Sequence, residues 1–337
     1  MKRNFLFVLA LFGTFLTVPD TSFGQKKKAT KKKVNTKKKT TKVTNVEPPV
    51  EPPVTPVAAN IELPIPKFDS SKRPTSAVEN SLIKDKTPLE YEYLRQDDQL
   101  YKQVIWRNIN VKEKMNQPFG YENVEENGDQ RLIYILMNAI QNGGVVPFGG
   151  LNDRFTTPMT IAEISQMLVG TPYVIKVHNW TKDPTGSDPD AIMDSTIMDE
   201  FNPASIETFQ IKEEVIFDKE SSRLHFRILG IAPMKKSSIA DANGNYQEFP
   251  IFWLYYPELR PTLAKYEAYN PRNFANRMSW EEVFESRYFS SYITKSTLNN
   301  PQNKTIAGMV SDPLLRLVEG ENVKEAIFNF EQGQWSY

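Results

Sequence analysis

Two histidines, no cysteine and forty-one carboxylates are the material this chain offers for chemistry, and their spacing matches no common reaction centre. His225 lies between Arg223 and Arg227, and His178 stands two residues after Lys176. A zinc site would have to draw at least one further ligand from carboxylates, and no histidine pair occurs at helical spacing. Both therefore read as solvent-facing strand residues. Without cysteine there is no thiol nucleophile, no thiolate metal site and no disulfide. The G-x-S-x-G elbow and the P-loop are also missing. Asp241-Ala242-Asn243-Gly244-Asn245 resembles a calcium loop only superficially, because its Gly falls at position four rather than six and Phe252 stands where the bidentate Glu belongs. It reads as a hairpin turn. Asp188, Asp190 and Asp194 could gather a cation weakly on a long loop, for which solvation is the simpler reading. Carboxylate pairs for glycan hydrolysis stay open, since sequence supplies no separations. No catalytic, cofactor-binding or metal-ligating residue is assigned.

What remains is material for recognition. Ser279 with Glu282 forms a capping box, and Trp280, Phe284, Tyr288 and Tyr292 then recur every four residues, which predicts one aromatic face of a helix. Such a row is either core or the groove for a partner helix. Together with Trp335 near the C-terminal end, these four are the candidate partner-binding residues.

The elements that would carry them divide by period. Tyr101, Val104, Ile105 and Ile109 predict a helix limited by Pro118. Asn127-Gly128 predicts a turn, and Asp129 a cap for a helix bearing Leu132, Ile133, Leu136, Ala139 and Ile140. Thr160 with Glu163 opens a short helix ending near Leu168. Residues 181–206 lack periodicity and read as a surface loop. The pattern then alternates: Phe209, Ile211, Val215 and Phe217 against Leu224, Phe226 and Ile228 predict a hairpin turning at 219–222. Pairing Asp218 with Arg223 sets Val215 opposite Phe226 and Glu214 opposite Arg227, so one register satisfies both faces. A parity change at Gly230 implies a bulge, and Ile251–Tyr255 a central strand. Asp312-Pro313 starts a helix, and Asn322 with Glu325 caps a last one after Gly320. The class is α+β, an antiparallel sheet with segregated helices, over residues 89–337.

Ahead of that body the composition changes. Lys2 and Arg3 precede the apolar run Phe5–Val18, and Ser22-Phe23-Gly24 supplies small residues before Gln25, as in a cleaved secretory signal over 1–24. The run is too short for a membrane span of about 20 residues, and no cysteine follows it to carry a lipid. Residues 25–46 hold ten lysines and no acid, whereas Glu47 onward holds 29 basic and 40 acidic residues. The lysine tract and the Pro-rich stretch from Glu47 predict a disordered arm and spacer over 25–88. Peptidoglycan carboxylates, anionic lipid or an acidic partner are its possible targets. Nucleic acid is disfavoured, since no aromatic residue interleaves the lysines. An exported chain without its own anchor needs protein contacts or surface charge to stay at an envelope.

The stretches Val104-Ile105-Trp106-Arg107 with Lys114–Pro118, Ile211-Lys212-Glu213 through Asp218, Ile228–Pro233 and Phe252–Glu258 resemble the GldN/PorN family, as do Asn270–Asn273, Phe289–Ile293 and Ile327–Glu331. The resemblance spans residues 95–337. It implies a non-enzymatic component of the type IX secretion and gliding-motility machinery of Bacteroidetes, periplasmic and peripheral to the outer membrane. It further implies ring-like assembly with self-association, a GldK/PorK-like lipoprotein partner and the periplasmic region of a GldM/PorM-like inner-membrane protein. No catalytic residue or cofactor comes with it. The ending Glu331-Gln332-Gly333-Gln334-Trp335 departs from the family pattern, which implies an early end to the last helix.

Overall fold

In a computed structural model, the described residues are 86–335, apart from 123, 126–127, 171–172, 179–191, 198–200, 241–245 and 274–277, together with 63–65, 73 and 77. The expected signal and lysine tract lie outside them, as do Asp188, Asp190 and the Asp241–Asn245 turn.

Among the described residues the first strand is β1 (Gln99–Asn110), followed by a short hairpin of β2 (Val124–Glu125) and β3 (Gly128–Asp129), then α1 (Leu132–Gln141) and β4 (Pro147–Gly149). Next come α2 (Ile161–Val169) and a hairpin of β5 (Tyr173–His178) and β6 (Ile192–Ile197). The long pair β7 (Thr208–Asp218) and β8 (Arg223–Ala240) follows, with β9 (Tyr246–Pro250) and β10 (Phe252–Tyr255). The remainder is α3 (Tyr256–Leu263), β11 (Glu267–Ala268), β12 (Met278–Ser279), α4 (Trp280–Glu285), β13 (Tyr292–Ser296), α5 (Ile306–Met309) and α6 (Pro313–Trp335).

The fold is α+β. A seven-stranded sheet runs β13-β1-β7-β8-β10-β4, with β9 also paired to β8, and the named pairings are antiparallel. Its centre is the β7–β8 hairpin in the register the alternation predicts: Asp218 opposite Arg223, Phe217 opposite Leu224, Val215 opposite Phe226 and Glu214 opposite Arg227. The shift between Lys212 and Glu213 leaves Leu229 as the extra residue, so the parity change beside Gly230 is a bulge.

The segment expected to be the first helix is instead β1. Its Val, Ile and Trp favour a pleated strand, and it is paired on both sides, to β13 and β7. Ile105 and Ile109 are buried on one face and Trp106 on the other, and burial of both faces erases the period of two. Within the expected loop 181–206, Ile192–Ile197 form β6 against β5. Gly320 does not separate two helices either: α6 is continuous for 23 residues. A Cβ on Gly320 would stand 3.0 Å from the Ile293 carbonyl oxygen, so the glycine lets α6 lie against β13. The helix also continues to Trp335 rather than ending early.

α2 and α4 carry the predicted capping boxes, Thr160 with Glu163 and Ser279 with Glu282. α1 has Arg131 rather than Asp129 at its N-cap; Asp129 accepts instead from the Arg131 backbone N–H, 2.8 Å, and from its Nε, 2.7 Å. The main core joins α1, α3 and α4 to one sheet face through Leu132, Leu136, Phe209, Ile231, Leu259 and Trp280, and Leu63 is buried in it as well. A second core on the same face sets Val323 and Ile327 of α6 against Ile105, Val215 and Ile293.

Candidate interaction surface

The expected aromatic face is split by the end of α4. Trp280 and Phe284 are fully buried, with Phe119 edge-on to both rings at 5.0 and 5.9 Å, and the Trp280 indole donates to the Gln130 carbonyl, 2.9 Å. Their side chains hold the core together and present no surface. The helix stops at Glu285, and Arg287 turns the chain with a φ of 55°. Tyr288 is thereby left exposed, and Tyr292 opens β13 half-buried.

His225 sits in β8 with Nε2 3.3 Å from the Ser221 hydroxyl. The His178 backbone lies in β5, and its side chain is outside the described residues, as is that of Asp194. Among the described residues no group of three His, Asp or Glu side chains could hold a metal ion, and no helix is long and apolar enough to cross a membrane.

α6 is the feature that sequence reasoning underrated. Asp312 accepts from the Leu314 N–H, 2.8 Å, and Pro313 starts the helix where its missing N–H costs nothing. One side is seated: Gly320, Val323 and Ile327 are buried, and Phe330 stacks on Tyr101 with ring centroids 4.1 Å apart. The adjoining flank is not seated. Leu314 is 73% exposed, Leu317 50%, Phe328 55% and Trp335 58%. These four fall, with Glu321, Lys324 and Glu331, at alternating steps of three and four residues, the heptad spacing of a helix-pairing seam. The same spacing was legible beforehand, but Gly320 disguised it.

Beside this flank lies a cavity of about 490 Å³ between α6 and the sheet, walled by Leu224, Phe226, Ile327 and Phe328 and rimmed by Glu321, Glu325 and Glu331. Arg107 reaches it from below. The Arg107 Nε donates to Glu213 at 3.1 Å, and Arg287 donates to both oxygens of the same carboxylate at 2.9 and 3.0 Å. Glu213 has no exposed surface at all, and this triad stands in the sheet face between the two cores. Burial lowers the pKa of Arg107, and Glu213 opposes that by favouring the charged form.

A second polar cluster ties down the start of the body. Residues 86–94, without regular secondary structure, are tied to α3 and α4 as a strap. The Leu89 N–H donates to Glu281, 3.2 Å, while Arg260 donates to the Leu89 carbonyl and, at 2.7 Å, to Glu281. Tyr91 carries the Arg260 and Arg227 guanidinium carbons over its ring at 3.7 and 4.1 Å, and its hydroxyl donates to Glu285, 2.5 Å. Burial first, and then Glu285, raise the Tyr91 pKa. Lys86 pairs with Glu282 at 2.5 Å.

The family model described as gliding motility associated protein GldN matches residues 94–336. The chain belongs to the GldN family. No curated protein matches it. GldN membership associates the chain with gliding motility and type IX secretion. The GldN match takes in the whole sheet, the triad, the cavity and α6, and begins just after Tyr91.

Proposed function

We propose that this GldN-family chain is a non-enzymatic structural component of the periplasmic, ring-like assembly that supports protein secretion across the outer membrane and gliding motility. The observation that carries the proposal is the exposed flank of α6, where Leu314, Leu317, Phe328 and Trp335 stand unburied beside a cavity. Large apolar side chains left exposed along one helix flank favour adhesion to another protein. The partners proposed are a GldK/PorK-like outer-membrane lipoprotein, the periplasmic region of a GldM/PorM-like protein, and further copies of the chain. The lysine tract adds attraction to peptidoglycan or anionic lipid. Tyr288 and Trp335 are the surviving aromatic candidates for partner contact. Repetition of weak contacts around an assembly strengthens retention at the envelope.

The test is envelope fractionation of cells with and without the lipoprotein, followed by co-purification on the tagged chain. The expected result is outer-membrane association that depends on the lipoprotein. Unchanged association in its absence, or clearance of cell-wall sacculi by the purified chain, overturns the proposal.

A further inference from the structure

We propose that the α6 flank pairs with the α6 of a second copy of this chain, antiparallel and about a two-fold axis. The inference rests on the adhesive role above and names one occupant for its surface. The seam from Leu314 to Trp335 covers three heptads, about 32 Å at 1.5 Å per residue, with leucines toward one end, aromatics toward the other, and Glu321 and Lys324 between them. In its inner layers that order is self-complementary only when one helix is reversed, and the outer layer then sets Leu314 beside Glu331 of the second copy. With Leu317 set opposite Phe328 of the second copy, Glu321 falls opposite its Lys324, and the axis repeats both contacts. A parallel pair would instead set Glu321 against Glu321 and Lys324 against Lys324, and like charges across such a seam repel.

The two central residues already hold each other within one chain at 3.2 Å, and both are exposed, so they are free to exchange partners across the axis. The cavity beside Phe328 gives the incoming helix space on the same flank, with Leu224 and Phe226 as an apolar floor. A heterologous partner would have no need of charges that complement their own reversal; a second copy does. Polar residues in the central layers fix register at a cost in affinity. The pair is therefore expected to dissociate on dilution and to become firm only where many copies are held together.

Sedimentation equilibrium of the purified chain tests this, because every residue changed is exposed and the fold is left intact. The parent chain should show a concentration-dependent dimer. Glu321→Lys alone sets Lys against Lys, and Lys324→Glu alone sets Glu against Glu. Each should weaken the dimer by at least about tenfold. Mixing the two variants restores opposite charges in both layers and should give a one-to-one heterodimer, and Phe328→Glu should abolish pairing in any mixture. A parent chain that stays monomeric, or single variants that dimerise as the parent does, or a mixture without heterodimer, overturns the inference. If that chain still captures envelope proteins, the scaffold role stands without the α6 pair; if it captures none, both fall.

Discussion

Glu213→Gln should lower the stability of the body severely. The carboxylate is entirely enclosed and receives N–H groups from Arg107 at 3.1 Å and Arg287 at 2.9 and 3.0 Å. Gln keeps the volume, removes the only negative charge of the triad, and turns one acceptor into a donor facing a guanidinium. Breaking a buried ion pair from one side costs about 3–5 kcal/mol, against a total of about 5–15 kcal/mol for a typical native protein. At about 2–4 °C per kcal/mol for a body of this size, the melt should fall by about 6–20 °C. The double change Arg107→Met with Glu213→Leu removes one charge of each sign. It leaves Arg287, nearly a third exposed and 4.7 Å over the Phe226 ring, free to turn toward water. The double variant should therefore lose less than Glu213→Gln alone. Urea denaturation followed by tryptophan fluorescence and far-ultraviolet circular dichroism measures both. A loss below about 1 kcal/mol for Glu213→Gln, the scale of a surface pair, or a larger loss in the double variant, would refute the argument that charge pairing holds this point of the sheet.

The two glycines of α6 should respond with opposite signs to Ala. Gly333→Ala meets no atom within 4 Å and should stabilise by about 0.5–1 kcal/mol, whereas Gly320→Ala presses on the Ile293 carbonyl and should destabilise by a similar amount, both read from urea midpoints. Tyr91→Ala removes the ring beneath two guanidinium groups and a hydrogen bond to Glu285, for a loss of about 2 kcal/mol and faster proteolysis ahead of Arg95. The Asp218 carboxyl is held below its ordinary value by hydrogen bonds from Ser221, first its hydroxyl and then its backbone N–H. A depressed carboxyl adds stability that is complete above its unfolded pKa and disappears as pH falls through the folded one. The difference between the parent chain and Asp218→Asn should thus be constant above about pH 5 and shrink below about pH 4; a difference that grows toward acid would count against it.

The hairpin of β7 and β8 was legible to the residue because apolar positions alternate with polar ones along most of both strands, and only one register aligns both sets. The capping boxes of α2 and α4 were legible because they are local. β1 was not: paired on both sides and covered on both faces, it carries apolar residues at Val104, Ile105, Trp106 and Ile109 that mimic a helical stripe. The aromatic row failed at Arg287, where a reversal of the backbone, not the side-chain spacing, decides which rings share a face. The interaction surface was least legible of all. Leu317 and Phe328 look like core residues in sequence, and only the close seating of Gly320 on β13 determines that Val323 and Ile327 turn inward while those two stay outside.

The strap has a mechanical consequence. Residues 86–94 form no strand, and side chains pin them to α3 and α4 one at a time: Lys86 to Glu282, Leu89 to Arg260 and Glu281, Tyr91 to Glu285. Once Leu63 is drawn out of the core, tension from the N-terminal side would meet these fasteners in sequence and peel them singly, whereas the eleven-residue β7 would have to shear its whole ladder at once. Within residues 86–335 the strap is accordingly the part that yields first under load, before the sheet is stressed.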